Sequence, residues 1–324
     1  MVTDEVTEAL SELATLGKAS GDILRLQILR ILSTESLGVL ELSGVFDMRQ
    51  PAMSHHLKVL AQAGLVSTRK EGNTVFYRRA LPPAHSILEN TVRALFQTID
   101  QTPVSNKQVL RLGVIKEQRA EQSRVFFARN VKEFRDHQEL IADHELYGKT
   151  VADLIATTMF PDNALAMELG PGEGAFLETL SHSFKAVYAV DNSDEMLSRS
   201  KEIVIKQKLD NVECIYGEIQ NLMHLKGQFD CIVANMVLHH VPSPADIFAK
   251  AAQLLKPGGS LLISDLSRHN QNWVRESCGD LWLGFSAEEF SLWAEDAGLT
   301  SGESQYLGLR NGFQIQVRHF YLGA

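Results

Sequence analysis

The chain has 324 residues, 44% hydrophobic and 22% charged, with a formal net charge of −9, which suits two or three ordinary globular domains and leaves no apolar run of the ~20 residues that a membrane span needs. The acidic, amphipathic start MVTDEVTEALSEL is not expected to be a secretory leader, and Cys214, Cys231 and Cys278 lie far apart without a CxxC, as expected of reduced thiols in a cytoplasmic protein. Charge is uneven: ten Lys+Arg face eleven Asp+Glu in residues 1–100, nine face seven in 101–150, and twelve face twenty-two in 151–324, so the acidic C-terminal half should avoid polyanions.

The first hundred residues read as helices followed by a hairpin. Leu10, Leu13 and Leu16 suggest a first helix, and Asp22 precedes a strongly apolar second one through Leu32. A short third helix covers roughly Val39 to Val45. In DMRQPAMSHHLKVLAQAGLV, Pro51 suits a first helical turn and Gly64 a C-terminal cap. Met53, Leu57 and Leu60 share one face, leaving Gln50, Ser54, His55, His56 and Lys58 on the others. LVSTRK and TVFYRR alternate as strands joined by Glu71-Gly72-Asn73.

A helix pair with a following hairpin is a winged helix-turn-helix, whose second helix enters the major groove while the wing rests on the backbone. Residues 49–79 carry six basic side chains against the single acid Glu71, a local basic stripe of the kind that phosphate binding follows. Gln50, Ser54, His55, His56 and Lys58 are therefore the candidates for the recognition helix. Arg69, Lys70, Arg78 and Arg79 are the phosphate candidates on the wing. Over about residues 10–100, and most specifically in MSHHLKVLAQAGLVSTRKEGNTVFYR from Met53 to Arg78, the chain resembles the ArsR/SmtB family of bacterial repressors. The resemblance implies a homodimer, formed by the first and last helices of the domain and reading an inverted-repeat operator in double-stranded DNA. The last helix would span about Ala84 to Ile99, with Leu88, Val92, Leu95, Phe96 and Ile99 as an apolar stripe suited to pairing. Many relatives bind thiophilic metals through a third helix beginning Glu-Leu-Cys. Here it reads Glu41-Leu42-Ser43, and the first hundred residues hold no cysteine. His55, His56 and His85 show no convincing ligand pattern, so no metal site is expected.

QTPVSN at 101–106 reads as a break before a long helical stretch, roughly Lys107 to Ala142, with Val125, Phe126, Val131, Phe134 and Ile141 at mixed helical spacings. It is either a rigid spacer or a lid and lever. Domain limits of 1–100, 101–150 and 151–324 follow.

From Ala164 strands and helices alternate. Ala164–Leu169 is a buried strand, Gly170-Pro-Gly172-Glu-Gly174 a turn into the helix AFLETLSHSF, and AVYAVD a second strand ending in Asp191. Glycines at such a turn let the backbone approach a ligand, and an acid ending the next strand can accept from both ribose hydroxyls. A third strand, Val212–Tyr216, leads to Gly217 and Glu218, an acid able to accept from an adenine amino group. A fourth ends at Asn235 before Met236 and His239-His240. Lys256-Pro-Gly258-Gly259 turns into a fifth strand ending at Asp265. The fold class is thus α/β, a winged helix-turn-helix followed by a doubly wound Rossmann-like domain.

Over about residues 125–324, the ELGPGEG motif (Glu168 to Gly174), Asp191, Gly217-Glu218 and the LKPGG turn resemble the class I S-adenosylmethionine-dependent methyltransferases. The resemblance implies a last pair of antiparallel strands, to which GFQIQVRHFYLG fits. It implies that Glu168, Gly170, Gly172 and Gly174 hold the methionine portion of S-adenosylmethionine or S-adenosylhomocysteine. Asp191 would bind the ribose and Glu218 would lie by the adenine, while Asn235 and Met236 close the base of the pocket. His239, His269 and Glu276 are catalytic candidates. His240, Trp273, Asp280 and Trp282 are further acceptor-side candidates, the two tryptophans able to line a site for a flat acceptor. The fused arrangement is similar to ArsR-type regulators carrying a methyltransferase domain, some of which respond to S-adenosylhomocysteine and control methionine-cycle genes. A transcription factor, a repressor by that resemblance, with a nucleoside effector is thus expected. The alternative is a working methyltransferase acting on a small molecule, with an appended DNA domain.

Overall fold

The computed structural model describes residues 2–71, 74–83 and 86–323, with the side chains of 2–6, 8, 131–137 and 139 left aside. The turn residues Gly72 and Asn73, the expected helix start at Ala84, His85, and the side chains of Val131 and Phe134 therefore lie outside the described set. The chain divides into two compact units, residues 1–118 and 119–324. The helical segment expected as a separate middle region is split between them.

In the first unit, α1 (Val2–Ser20) and α2 (Ile23–Ile31) are separated at Asp22, which caps α2 by accepting from the Arg25 N–H at 3.0 Å. β1 (Leu37–Gly38) leads into α3 (Val39–Phe46), which Asp47 ends in a left-handed conformation, φ 56°. α4 (Gln50–Gln62) starts with Pro51 in its first turn and is followed by Gly64 at φ 66°, the asymmetry expected of proline and glycine at helix ends. β2 (Val66–Glu71) and β3 (Thr74–Arg79) pair antiparallel, and β1 adds to the far side of β3. Met53, Leu57 and Leu60 of α4 are fully buried against Ile28, Leu29 and Leu42, which fixes the face α4 turns outward.

α5 (Glu89–Asp100) begins about one turn later than the apolar stripe suggests, because Ser86 to Leu88 form a turn in which the Ser86 hydroxyl accepts from the Leu88 N–H. Val92, Phe96 and Ile99 are buried in their own unit's core, with Leu88 and Leu95 partly buried on it. The stripe read as a pairing face is thus largely spent within one subunit. The first part of α6 (Asn106–Ile141) belongs to this unit: Arg111 donates to the Val45 carbonyl at 3.2 Å and to Asp47 Oδ2 at 2.8 Å, and Lys116 lies 2.6 Å from Glu35 Oε1.

In the second unit, the remainder of α6 is followed by α7 (His144–Thr157), capped by Asp143. β4 (Leu165–Leu169), α8 (Leu177–Ser183), β5 (Ala186–Asp191), α9 (Asp194–Gln207) and β6 (Val212–Tyr216) follow. Then come β7 (Phe229–Asn235), α10 (Pro244–Leu254), β8 (Leu255–Leu266), α11 (Trp273–Ser277), α12 (Ala287–Asp296), β9 (Leu299–Gly308) and β10 (Gln314–Leu322). The seven strands order as β6-β5-β4-β7-β8-β10-β9; the first five are parallel, and β10 pairs antiparallel with both β8 and β9. The LKPGG segment is itself part of β8, with an irregularity in its pairing to β7 between Phe229 and Cys231. β4 and β7 read as near-continuous apolar runs because helices cover both faces of a parallel sheet. β4 lies between β5 and β7, so chain direction through the sheet reverses there. A doubly wound sheet opens its ligand crevice at the carboxyl ends of the strands at that point.

Candidate functional site

The first unit presents α4 and the wing. Gln50, Ser54, His55 and Lys58 are exposed on α4, opposite its buried face. His56 departs from the expectation: it is half-buried, with Nδ1 3.9 Å from Asp22 Oδ1 on the cap of α2. It is one residue on from His55, and about 100° of helical rotation carries it toward α2 instead of the open face.

On the wing, Lys70 is exposed and Arg78 half-buried. Arg69 corrects the sequence reading. Only 7% exposed, it turns inward and pairs with Glu71, itself buried. Strand alternation accounts for this: residues 69 and 71 share the inner face, and Lys70 points out. Arg79 is also spoken for, donating to Asp100 Oδ1 at 2.6 Å and lying 4.5 Å over the Phe96 ring.

In the second unit, β4 brings Glu168 to the switch point and ends at Leu169, just before Gly170. Gly170, Gly172 and Gly174 have φ of 62°, 58° and 80°, conformations that side-chain-bearing residues rarely adopt. A Cβ at Gly170 would come 2.3 Å from Val237 Cγ2, whereas one at Gly172 would meet nothing within 4 Å. The first glycine packs the turn against the loop after β7, and the second leaves open space beside the backbone. The Ser200 hydroxyl, on α9, donates to the Gly172 carbonyl at 2.8 Å and ties the loop down.

Glu168 is buried, and its Oε1 accepts from Asn235 Nδ2 at 3.3 Å, while Asn235 Oδ1 accepts from the Ser264 hydroxyl at 2.8 Å. Its Oε2 is buried with no hydrogen-bond partner among the described residues. Burial pushes the Glu168 carboxyl up to about 8, with the Asn235 bond opposing and Asp191 adding to the rise. Asp191 closes β5, with Oδ1 accepting from the Ser193 N–H at 2.9 Å; burial raises it to about 6 against backbone bonds from Ser193, Gly172 and Asn192. Glu218, just past β6, accepts from Asn192 Nδ2 at 3.2 Å and from Gln220, and lies 3.7 Å from Arg124 on the second part of α6. Met236, at the end of β7, is held at φ 49° while its N–H donates to the Ser264 carbonyl at 2.8 Å. A non-glycine residue held in that conformation is a feature that clusters at functional sites.

The structure thus gathers Glu168, the three glycines, Asp191, Glu218, Asn235 and Met236 at one edge of the sheet. It adds Ser264, Ser200, Asn192 and Tyr147, which sequence reasoning missed. Burial of Tyr147 on α7, with the nearby charge of Glu168 adding to it, pushes its hydroxyl above the ordinary range. No spacing in the sequence marks any of these four, because each acts through a neighbour brought close only by the fold.

The catalytic candidates separate. Glu276 is exposed on α11. His269 is half-buried, its Nδ1 accepting from the Gln271 N–H at 3.2 Å and its ring 4.8 Å from Phe313. His239 is buried, with Nδ1 2.8 Å from Asp265 Oδ1. Burial lowers its proton affinity, but Asp265 and Asp280 outweigh it and lift the imidazole to about 9; His240 is held well below the ordinary range by burial and by His239. Trp282 is buried and donates to the Val241 carbonyl at 2.8 Å, with Arg119 5.3 Å over its ring. Trp273 is exposed, its indole N–H donating to Gln271 Oε1 at 3.0 Å.

Comparison with known proteins matches each unit separately. Residues 22–68 match the arsR family of bacterial regulatory proteins, and residues 167–263 match a methyltransferase domain. An uncharacterised 37.1 kDa protein of transposon TN4556 from Streptomyces fradiae is 34% identical over 103 residues, which are 31% of this chain and 29% of that protein. An arsenite methyltransferase of Halobacterium salinarum is 32% identical over 119 residues, 37% of this chain and 27% of that one. A ubiquinone biosynthesis O-methyltransferase of Coxiella burnetii is 28% identical over 147 residues, 41% of this chain and 62% of that one. Each match spans less than two thirds of the relative. Among solved structures, the magnesium protoporphyrin IX methyltransferase of Synechocystis PCC 6803, determined with bound S-adenosylmethionine, aligns with a TM-score of 0.50 at 14% identity, covering 63% of this chain and 97% of that one, and so shares the fold. No described helix is long and apolar enough to cross a membrane. The chain therefore joins a winged-helix unit whose residues 22–68 match the arsR family of regulatory proteins to a unit of methyltransferase fold whose residues 167–263 match a methyltransferase domain.

Proposed function

We propose that the protein is a DNA-binding transcriptional regulator whose methyltransferase-fold domain takes S-adenosylmethionine or S-adenosylhomocysteine as effector. It acts as a homodimeric repressor at an inverted-repeat operator of methionine-cycle genes. The observation that carries the ligand half of this reading is the buried Oε2 of Glu168, without a hydrogen-bond partner among the described residues, together with the open space at Gly172. A buried carboxylate oxygen without a donor is costly, and an incoming ammonium removes the cost. Glu168 would receive the amino group of the methionine portion, and the Gly170–Gly174 backbone would lie along it. Asp191 would accept from the ribose hydroxyls and Glu218 from the adenine amino group. The donor set is acceptor-rich where the ligand is donor-rich, so the residues fit the group.

For the DNA half, the exposed Gln50, Ser54, His55 and Lys58 on a helix backed by a buried apolar face support groove reading, and Lys70 and Arg78 support backbone contacts. An effector changes operator occupancy only through unequal affinity for the two forms of the protein; a tenfold inequality supplies ~1.4 kcal/mol per site.

A second reading, methyl transfer to a small molecule, is favoured by the names of the matched relatives and by His239. This side chain is fixed in orientation by the buried carboxylate of Asp265. When bound, S-adenosylmethionine would supply the electrophilic methyl; the chain's own task would be to hold an acceptor in line with it. The deciding experiment is an operator-binding titration with each ligand, beside a methyl-transfer assay on candidate phenols. Ligand-dependent operator affinity without turnover supports the regulator. Turnover with operator affinity indifferent to both ligands overturns it.

A further inference from the structure

We infer that His239, His240 and Asp280 form a binding site for one divalent transition-metal ion of the zinc class. One ligating atom from each of the three lies within 4.8 Å of the other two, and all three residues are buried. His239 Nε2 is 4.0 Å and His240 Nδ1 is 3.9 Å from Asp280 Oδ1. Zinc holds nitrogen and oxygen donors at ~2.0–2.2 Å, which sets tetrahedral donors roughly 3.4 Å apart. Closing the two separations to Asp280 takes a shift of about half an ångström, and the two imidazoles, whose ligating atoms lie within 4.8 Å, close by at most about 1.4 Å through side-chain rotation.

The surroundings of the three donors distinguish them from a chance cluster. A histidine that ligates a metal through one nitrogen characteristically gives its other N–H to a carboxylate. His239 Nδ1 is committed in that way to Asp265 Oδ1 at 2.8 Å, which aims Nε2 at Asp280. Asp265 is itself immobilised, Oδ2 accepting from the Leu238 N–H at 2.9 Å and Oδ1 from the Leu266 N–H at 2.7 Å. The histidines sit on the 3-10 turn after β7 and Asp280 on the loop after α11. These two segments are bonded to each other by their backbones: the N–H groups of Leu281 and Trp282 both donate to the His239 carbonyl, at 2.9 and 3.1 Å. The donors are therefore brought together by the fold before any ion arrives. His240 Nδ1 makes a long 3.4 Å approach to the Gly279 carbonyl, a contact that an ion would replace.

Two imidazoles and one carboxylate suit zinc and its neighbours better than magnesium or calcium, which prefer all-oxygen shells. Three protein donors leave the fourth position to water or to a donor atom of a bound small molecule. The inference stands apart from the effector reading, since none of the three donors belongs to the set assigned to the nucleoside.

The test uses the full chain, stripped with a chelator and then titrated with Zn²⁺ against a chromophoric competitor, and with Co²⁺ by visible absorption. One ion retained per chain after gel filtration, with Co²⁺ bands of a low-coordinate N/O site, is the expected result. Asp265→Asn should weaken zinc by about 10–100-fold, the usual effect of losing such an orienting partner. His240→Asn and Asp280→Asn should each weaken it more. Far-ultraviolet circular dichroism checks that each variant is folded, and retained S-adenosylhomocysteine binding serves as a second control. A folded wild-type chain that retains no Zn²⁺ or Co²⁺ overturns the inference. So does retention that is unchanged in folded His240→Asn and Asp280→Asn, which would place the ion elsewhere.

Discussion

The two ends of this chain meet their proposed ligands in opposite ways. On α4, Gln50, Ser54, His55 and Lys58 are solvated, and the apolar face behind them carries the packing. At the carboxyl edge of the large sheet, Glu168 is buried and Asp191 is held by backbone N–H groups at the mouth of a glycine loop. A duplex brings a dense, uniform charge, so its readers can stay in water until contact and contribute through steering and counterion release. A nucleoside brings a handful of hydrogen-bonding groups, and gripping it requires acceptors already withdrawn from water. Substitutions on the first surface should change affinity and leave stability alone, whereas substitutions at the second should change both.

The largest effect is expected where the wing violates that division. Arg69→Ala removes a guanidinium paired with a buried carboxylate, and breaking a buried pair from one side costs about 3–5 kcal/mol. Urea unfolding followed on the first unit should show the loss. A variant of normal stability whose operator affinity has dropped would return Arg69 to the DNA-facing set and blur the comparison. Next in size is Asp191→Ala. Losing bonds to two ribose hydroxyls from a charged acceptor, at about 1.5–3 kcal/mol each, should weaken either nucleoside by at least a hundredfold in calorimetry. Ligand-free operator binding should be unaffected. Loss of operator binding in a folded Asp191→Ala chain would mean that the two regions are not separable.

Sequence alone exposed the frame of both regions and misjudged some of their orientations. The strand ends at Leu169, Asp191 and Asn235 and the glycine turn between β4 and α8 were legible, because buried parallel strands are continuous apolar runs and the turn needs glycine. The inward turn of Arg69 was not legible from strand alternation: buried Val66 would turn residues 68 and 70 inward, but the alternation breaks before residue 69, with two residues between the two buried positions. Residue type and the expected period both pointed outward in that case. The pairing role read into α5 is not carried by its stripe, for a different reason. An apolar stripe shows that a face is covered and does not say by what, and here Val92, Phe96 and Ile99 cover their own core. Ser264, Tyr147 and Asp265 were invisible because they act on Glu168 and His239 across sheet strands and loops far apart in sequence.

A smaller effect follows from the raised carboxyls. Glu168, lifted by burial from 4.5 to about 8, and Asp191, lifted from 3.8 to about 6, are more easily kept neutral in the folded, ligand-free chain than in the unfolded one. Their neutral forms contribute stability that is fully present below the unfolded values and is lost as pH rises through the folded ones. Thermal midpoints of the ligand-free chain should therefore fall between about pH 5 and pH 8.5, and Glu168→Gln should flatten the upper half of that decline. Ligand affinity should run the other way, rising across the same window as the carboxylate that meets the ammonium becomes ionised. A midpoint indifferent to pH in this range, or an identical slope in Glu168→Gln, would show that the sheet edge is wetter than its burial implies and would bring the two regions closer in kind.

The smallest effect tests the other side of the division. Lys70 is exposed beside the buried Arg69, so the two neighbours on one strand separate charge at the surface from charge in the fold. Lys70→Ala should leave the urea midpoint where it is, because an exposed lysine contributes little to stability. It should lower operator affinity by a similar factor on matched and mismatched sequences, since a phosphate contact carries no base information. The slope of log affinity against log salt should become shallower by about one per half-site, the signature of one lost phosphate neutralisation. His55→Ala on α4 is the internal contrast: it should alter the ranking of operator sequences while leaving that slope in place. If Lys70→Ala instead changed the ranking and kept the slope, the wing would be reading bases, and the separation between positioning on β2 and reading on α4 would have to be redrawn.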